Sequence, residues 1–289
     1  MPALHRLALL TTCLLWAGNF IATAVAVDHV PPITATAMRF AFVLVLLWPF
    51  LRRPARAEWL NLVVVCWWMG ALHFGLLFVA MQRSADVSSL AILLQVYVPL
   101  STLMAVTLLG ERIGWRTASA IALAFAGVLV VGLDPLVLSQ PDVVVLVLAS
   151  AAFLALGTVS MRRVRGVGVF SFQAWNALLS LPLLALLAWL LESPLAALAA
   201  MPATSPAWPA IGYSAIAASI VGHGTFYWLI QRHEVHRVTP YVLLVPVLAV
   251  ALGVAVRGDQ PGARLLGGGA LVLGGVLWVT LRARYRRGA

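Results

Sequence analysis

The stretch "VPLSTLMAVTLLGER", residues 98–112, decides the fold. It lies in an apolar run from about Val87 to Leu109 that is long enough to cross a bilayer. Yet it opens with Pro99, which removes a helical hydrogen bond and frees the carbonyl of Gln95. Residues 245–259, "VPVLAVALGVAVRGD", repeat the pattern: Pro246 matches Pro99 and frees the carbonyl of Val242. Gly110 and Glu111 match Gly258 and Asp259 with one residue inserted, Arg116 matches Arg264, and Gly127 matches Gly275. Upstream, Trp59 and Trp208, Gly75 and Gly224, and the pairs Gln82–Arg83 and Gln231–Arg232 recur at an offset of 149. The chain therefore carries an internal repeat, and each copy predicts a helix bent at mid-depth by a proline.

Composition sets the surroundings of that repeat. Of 289 residues, 63% are hydrophobic and 10% charged, and the mean hydropathy is +1.00, which places most of the surface in lipid. Apolar runs of spanning length fall near 4–26, 33–51, 59–81, 87–109 and 115–133, then near 142–161, 171–191, 207–230, 238–256 and 264–282. The first run exceeds the core of a secretory signal and carries Trp16 and Asn19, so it is expected to stay as helix 1. The expectation is an all-α polytopic membrane protein of ten helices, divided into repeats 1–137 and 138–289, with no room for a soluble domain. Five spans per copy is an odd number, so the second copy is inverted relative to the first. Inverted repeats characterise secondary transporters, whose substrate site lies between the halves near the midplane.

The formal charge of +10 does not point to nucleic acid. All nineteen basic residues are arginine, and fifteen of them fall in alternate connections or the tails. Arg83, Arg257 and Arg264 fall on the opposite side, and Arg39 lies inside helix 2. Because cytoplasmic loops collect basic residues, both termini are expected in the cytoplasm. The partners implied are the bilayer and a small solute, with the chain a monomer or weak homodimer.

Polar side chains inside the spans mark the candidate site, since hydrocarbon offers them no partners. Trp16, Asn19, Phe20 and Thr23 share a face of helix 1; Gly70, His73, Phe74, Leu77 and Phe78 share one of helix 3; Ser219, His223 and Tyr227 stack on helix 8. Gln95, Tyr97 and Ser101 surround Pro99 on helix 4. The expected substrate contacts are Trp16, Asn19, His73, Phe74, Phe78, Gln95, Tyr97, His223 and Tyr227, with Pro99 and Pro246 as hinges. Each histidine could instead bond across helices, and Asn19 could serve as interhelical glue. Arg39 could snorkel, contact helix-end carbonyls or attract an anion, with a structural or steering role favoured.

Enzyme motifs fail. "HEVHR" at 233–237 has its second histidine one residue early for a zinc site, and no phosphate loop with a following lysine exists, so no metal, cofactor or ATP motor is expected. Cys13 and Cys66 lie inside helices and read as small apolar filling. "GGGALVLGG" at 267–275 reads as close helix packing.

With "LLWAGNF" in helix 1, "MRF" in helix 2, "SSL" before Pro99, "LLGER" after it and "AGV" at 126–128, the chain resembles EamA-type transporters of the drug/metabolite transporter superfamily. It departs at Ala17, where glycine is usual and Gly18 follows instead, and at Asp259, where glutamate is usual. The resemblance implies ten helices in a 5+5 inverted repeat and export of small metabolites from a bacterial cell through its inner membrane. It is most similar to the aromatic amino acid exporter branch. Drug export and nucleotide-sugar exchange are the alternatives within transport, and the scarcity of cations in the spans weighs against a nucleotide phosphate. No intramembrane carboxylate pair offers a proton relay, so facilitated diffusion and histidine-linked antiport both fit.

Overall fold

The computed structural model describes residues 2–110, 114–233 and 241–285 and is helical throughout. The helices are α1 (Ala3–Val27), α2 (Pro32–Phe50), α3 (Arg56–Arg83), α4 (Val87–Leu108) and α5 (Trp115–Gly132), then α6 (Pro141–Ser160), α7 (Val169–Leu191), α8 (residues 207–232), α9 (Leu244–Arg257) and α10 (Ala263–Tyr285). Short helices Pro135–Leu138 and Pro194–Ala200, not foreseen from the sequence, sit in two connections. Among the described residues, α1, α2, α3, α4, α6 and α7 are long and apolar enough to cross a membrane, and shorter apolar helices lie at Ala118–Gly132, Leu244–Arg257 and Ala263–Trp278. Large apolar side chains such as Leu60, Val45, Trp115 and Leu129 point outward, as lipid requires.

The helices pair in a pattern that exchanges helix n with helix n+5. α3 and α4 pack on α6, as α8 and α9 pack on α1, while α2 pairs with α7, α5 with α10 and α4 with α9. Named contacts give the directions. Ile33 and Thr34 at the start of α2 meet Glu192 just past the end of α7, and Val87 and Ser88 at the start of α4 meet Asp259 just past the end of α9. Where repeat-related helices touch, they run antiparallel.

α5 and α10 show the symmetry residue by residue. A Cβ on Gly127 would lie 2.6 Å from Val272 N and 2.7 Å from Gly268 O; one on Gly275 would lie 2.6 Å from Ala124 N and 2.7 Å from Ala120 O. Shifting both members of each pair by 148 turns one set of contacts into the other. Only glycine permits backbones this close, which is how apolar helices gain dispersion contacts where lipid supplies no hydrophobic drive.

Both proline predictions meet a local change of winding. The residues Leu94–Val96 tighten into a 3₁₀ turn ahead of Pro99, and a turn at Leu243 precedes Pro246. Gly110 (φ 66°) and Gly258 (φ 73°) end α4 and α9 in the left-handed conformation that other residues rarely adopt. Glu111 lies outside the described residues.

α3 and α8 are not uniform α-helices. Trp67–Leu72 and Ser214–His223 are π-helical, at equivalent places in the two copies. This corrects the plain 3.6-residue period expected of helices 3 and 8. The misaligned carbonyls are taken up by side chains: Ser180 Oγ donates to Cys66 O (2.9 Å), and Ser219 Oγ donates to Ser214 O, five residues back (2.8 Å).

Candidate functional site

Charges segregate to the two ends of the bundle. Asp28, Asp86, Asp134, Asp142, Glu192 and Asp259 share the end where α2, α4, α6, α8 and α10 begin, so their carboxylates face positive helix N-termini. Three of them cap a helix of the opposite half. Glu192 accepts from Ile33 N, Thr34 N and Thr34 Oγ1 (each 2.8 Å), Asp259 Oδ2 from Val87 N, Ser88 N and Ser88 Oγ, and Asp134 Oδ2 from Leu265 N (3.2 Å). The sequence marked Asp259 only as the end of a helix.

Between the ends, α1, α2, α3 and α8 converge on a polar network. Arg39 lies about 10 Å in from the start of α2 and is 2% exposed, so it does not snorkel. Its Nε (3.2 Å) and Nη2 (2.9 Å) donate to Ser219 Oγ on α8, and its guanidinium stands 4.2 Å from the Phe74 ring and 6.0 Å from that of Phe78. Ser219 Oγ in turn donates to Ser214 O, and Ser214 Oγ donates to Asn19 Oδ1 (2.6 Å) on α1. The chain Arg39–Ser219–Ser214–Asn19 thus joins both halves through Ser219, which the sequence had placed on the polar face of helix 8, and through Ser214, which it did not single out.

Trp16 stands beside it. Its Nε1 donates to Ala218 O (3.1 Å), and its ring lies 4.9 Å from His223 and 5.1 Å from Phe226. His223 Nδ1 donates to the same Ala218 O (3.0 Å), because a carbonyl only accepts. Gly222 lets Trp16 approach: a Cβ there would fall 2.7 Å from Trp16 Nε1. Gly18 plays the same part for Tyr213, whose hydroxyl donates to Leu15 O (3.1 Å), which accounts for a glycine one step later than the resemblance led one to expect.

His73 turns the other way, toward α6. Ser150 Oγ donates to His73 O (3.0 Å), so the proton of the 2.8 Å contact between His73 Nδ1 and Ser150 Oγ must come from Nδ1, leaving Nε2 as an acceptor. Phe74, next in sequence and 4.6 Å from the His73 ring, faces Arg39 and Phe40. Gln95 is buried and Tyr97 half-buried on α4, beside buried Pro99 and outside the network just described. Pro246 is likewise buried in α9. The Tyr227 side chain lies outside the described residues.

Cavities open near the ends, one of about 360 Å³ at His29, Met201 and Pro202, another of about 230 Å³ at Phe50, Arg52, Arg53 and Gly166–Ser171. Neither touches the network. Among the described residues no group of His, Cys, Asp or Glu is arranged to hold a metal.

Comparison with known proteins places this geometry. Over 98% of its length the chain is 27% identical to a protein of Salmonella typhimurium (strain LT2) named a probable amino-acid metabolite efflux pump, covering 96% of it. It is 25% identical, over 87% of itself and 82% of the relative, to the uncharacterized inner membrane transporter YedA of Escherichia coli K12. A probable terminal-alkyne amino-acid exporter of Streptantibioticus cattleyicolor is 25% identical over 97% of this chain and 94% of that one. A solved structure described as "Crystal structure of protein" shares the fold at TM-score 0.65 and 22% identity, covering 99% of both chains. Residues 5–133 and 143–281 each match the EamA-like transporter family. The chain is a multi-pass membrane protein that belongs to the EamA-like transporter family, and it is a transporter rather than an enzyme.

Proposed function

We propose that the chain exports amino acids, aromatic or other neutral ones, and related small metabolites across a bacterial inner membrane by alternating access. It crosses ten times with both termini in the cytoplasm, and residues 1–137 and 138–289 act as the two inverted halves. The observation that carries this reading is the largely buried Arg39–Ser219–Ser214–Asn19 chain where α1 and α2 of one half meet α8 of the other. It sets hydrogen-bonding groups among the rings of Trp16, Phe74 and Phe78, as an amphipathic solute requires. Trp16, Asn19, Phe74 and Phe78 form the core of the substrate site. His73, Gln95, Tyr97 and His223 line its approaches, Tyr227 is kept as a contact from its place in the sequence alone, and Pro99 and Pro246 bend the helices that open and close it. Relatives named for amino-acid efflux support the substrate class.

Export of cationic drugs is the competing reading within the family, and a buried guanidinium at the centre repels a cation. The test is efflux from cells lacking their own exporters and fed dipeptides of leucine, phenylalanine or tryptophan. Expression of the protein lowers intracellular amino acid and raises it in the medium; unchanged levels for all three, with the protein present in the membrane, refute amino-acid export.

A further inference from the structure

A fully buried cation in a span needs a counter-charge, and among the described residues Arg39 has none. Every carboxylate in the described helices sits near a helix end, and among the described residues the Arg39 guanidinium forms no ion pair. Its Nε and Nη2 share one neutral acceptor, Ser219 Oγ, while Nη1 is buried with no hydrogen-bond partner at all. A guanidinium stays charged, and an unsatisfied donor of this kind inside hydrocarbon is costly.

The geometry of what is left over defines its ligand. Ser219 occupies the Nε–Nη2 edge, so the unpaired donor lies on the edge formed by Nη1 and Nη2; that edge matches the two oxygens of a single carboxylate. Phe74 covers the guanidinium at 4.2 Å, and Phe78 stands at 6.0 Å, supplying apolar walls for whatever carries the carboxylate. Ser219 also links Arg39 to α8, so an anion on Nη1 would be held by the same guanidinium that makes this contact between the halves.

We infer that Arg39 is the substrate-binding residue that reads the α-carboxylate of the exported amino acid through Nη1–H, an inference that rests on the export function proposed above. The carboxylate is then the part of the substrate the site cannot do without. A substrate stripped of its carboxylate leaves the guanidinium uncompensated and is rejected.

The test is counterflow of radiolabelled L-phenylalanine into proteoliposomes of the purified wild-type chain, competed by 3-phenylpropionate, which lacks the amine, and by 2-phenylethylamine, which lacks the carboxylate. The wild type is expected to be inhibited by phenylpropionate at concentrations roughly tenfold or more below those needed of phenylethylamine. Arg39→Gln is expected to raise KM roughly tenfold or more and to erase that preference, with Arg39→Lys recovering part of it. Equal inhibition of the wild type by the two competitors overturns the inference, and so does an Arg39→Gln protein that keeps its KM and its preference. The competition on wild-type protein needs no variant to fold. Failure of the wild type to move any amino acid tells against the export function itself, whereas transport without carboxylate preference tells against Arg39 alone.

Discussion

Ser88 at the start of α4 donates both its backbone N–H (2.9 Å) and its hydroxyl (2.7 Å) to one oxygen of Asp259, which follows the end of α9 in the opposite half of the chain. Val87 N adds a third bond at 3.0 Å. This clasp ties repeat-related helices together at the carboxylate-rich end, and both residues are buried. Any conformation that opens that end between α4 and α9 has to break it.

Asp259→Ala therefore loses a charged cap shared by three donors, and should cost about 2 kcal/mol of stability. A lowered thermal midpoint of the purified protein in detergent checks this. In a background with Cys13 and Cys66 replaced by alanine, the pair Ser88→Cys and Asp259→Cys, bridged by a short bifunctional thiol reagent, should stop transport until the link is reduced. A bridged protein that transports at the unbridged rate shows that the clasp need not open.

Asp86 gives that end a pH dependence. Burial pushes its carboxyl above the usual aspartate range; bonds from Ser89 N and Oγ pull it back, and the nearby Asp259 and Asp134 carboxylates push it up again. For an acid whose folded pKa exceeds its unfolded value, ionisation costs folding energy. The cost is absent below the ordinary value of about 3.9 and complete once the pH has passed the raised one. Thermal stability attributable to Asp86 should accordingly fall as pH rises across that window, and Asp86→Asn should flatten the slope. A variant with the wild-type slope removes Asp86 from the account.

Gly127→Ala tests the glycine contact between α5 and α10. The new methyl falls 2.6 Å from Val272 N and 2.7 Å from Gly268 O, atoms that cannot turn aside, so the helices must separate. A loss of roughly 1–3 kcal/mol is expected. Gly132→Ala, with nothing within 4 Å, is the control and should leave the melting curve unchanged or slightly improved.

Asn19→Leu removes the acceptor of Ser214 Oγ while keeping the branched outline of the side chain. Transport should fall at least tenfold with normal membrane insertion, because the polar end of the Arg39 chain and a proposed substrate contact go together. Wild-type kinetics in this variant would move the site elsewhere.

How much of this was legible in the sequence follows from the range of the interactions. The helical, membrane-spanning character and the doubling of the chain were legible, because long apolar runs and an offset of 149 between Trp59 and Trp208 survive in the letters; so was the glycine stripe in α10. The π segments at Trp67–Leu72 and Ser214–His223 were not, since one extra residue per turn leaves no compositional trace. The partner of His73 was out of reach for another reason: Ser150 is 77 residues away, and only the packing of α6 on α3 selects it from many serines. Cross-half capping by Asp259, Glu192 and Asp134 is invisible for the same reason, though acids gathered before even-numbered helices were a usable hint. Arg39 was noticed as an oddity, but whether it snorkels depends on what surrounds it, and its 2% exposure settles that.

The most direct measurement is counterflow of radiolabelled L-leucine, L-phenylalanine and L-tryptophan into proteoliposomes holding the purified wild-type protein and preloaded with the unlabelled amino acid. Accumulation of at least one of them above protein-free liposomes, abolished by omitting the internal amino acid, is the predicted result; no accumulation of any of the three contradicts amino-acid transport by this chain.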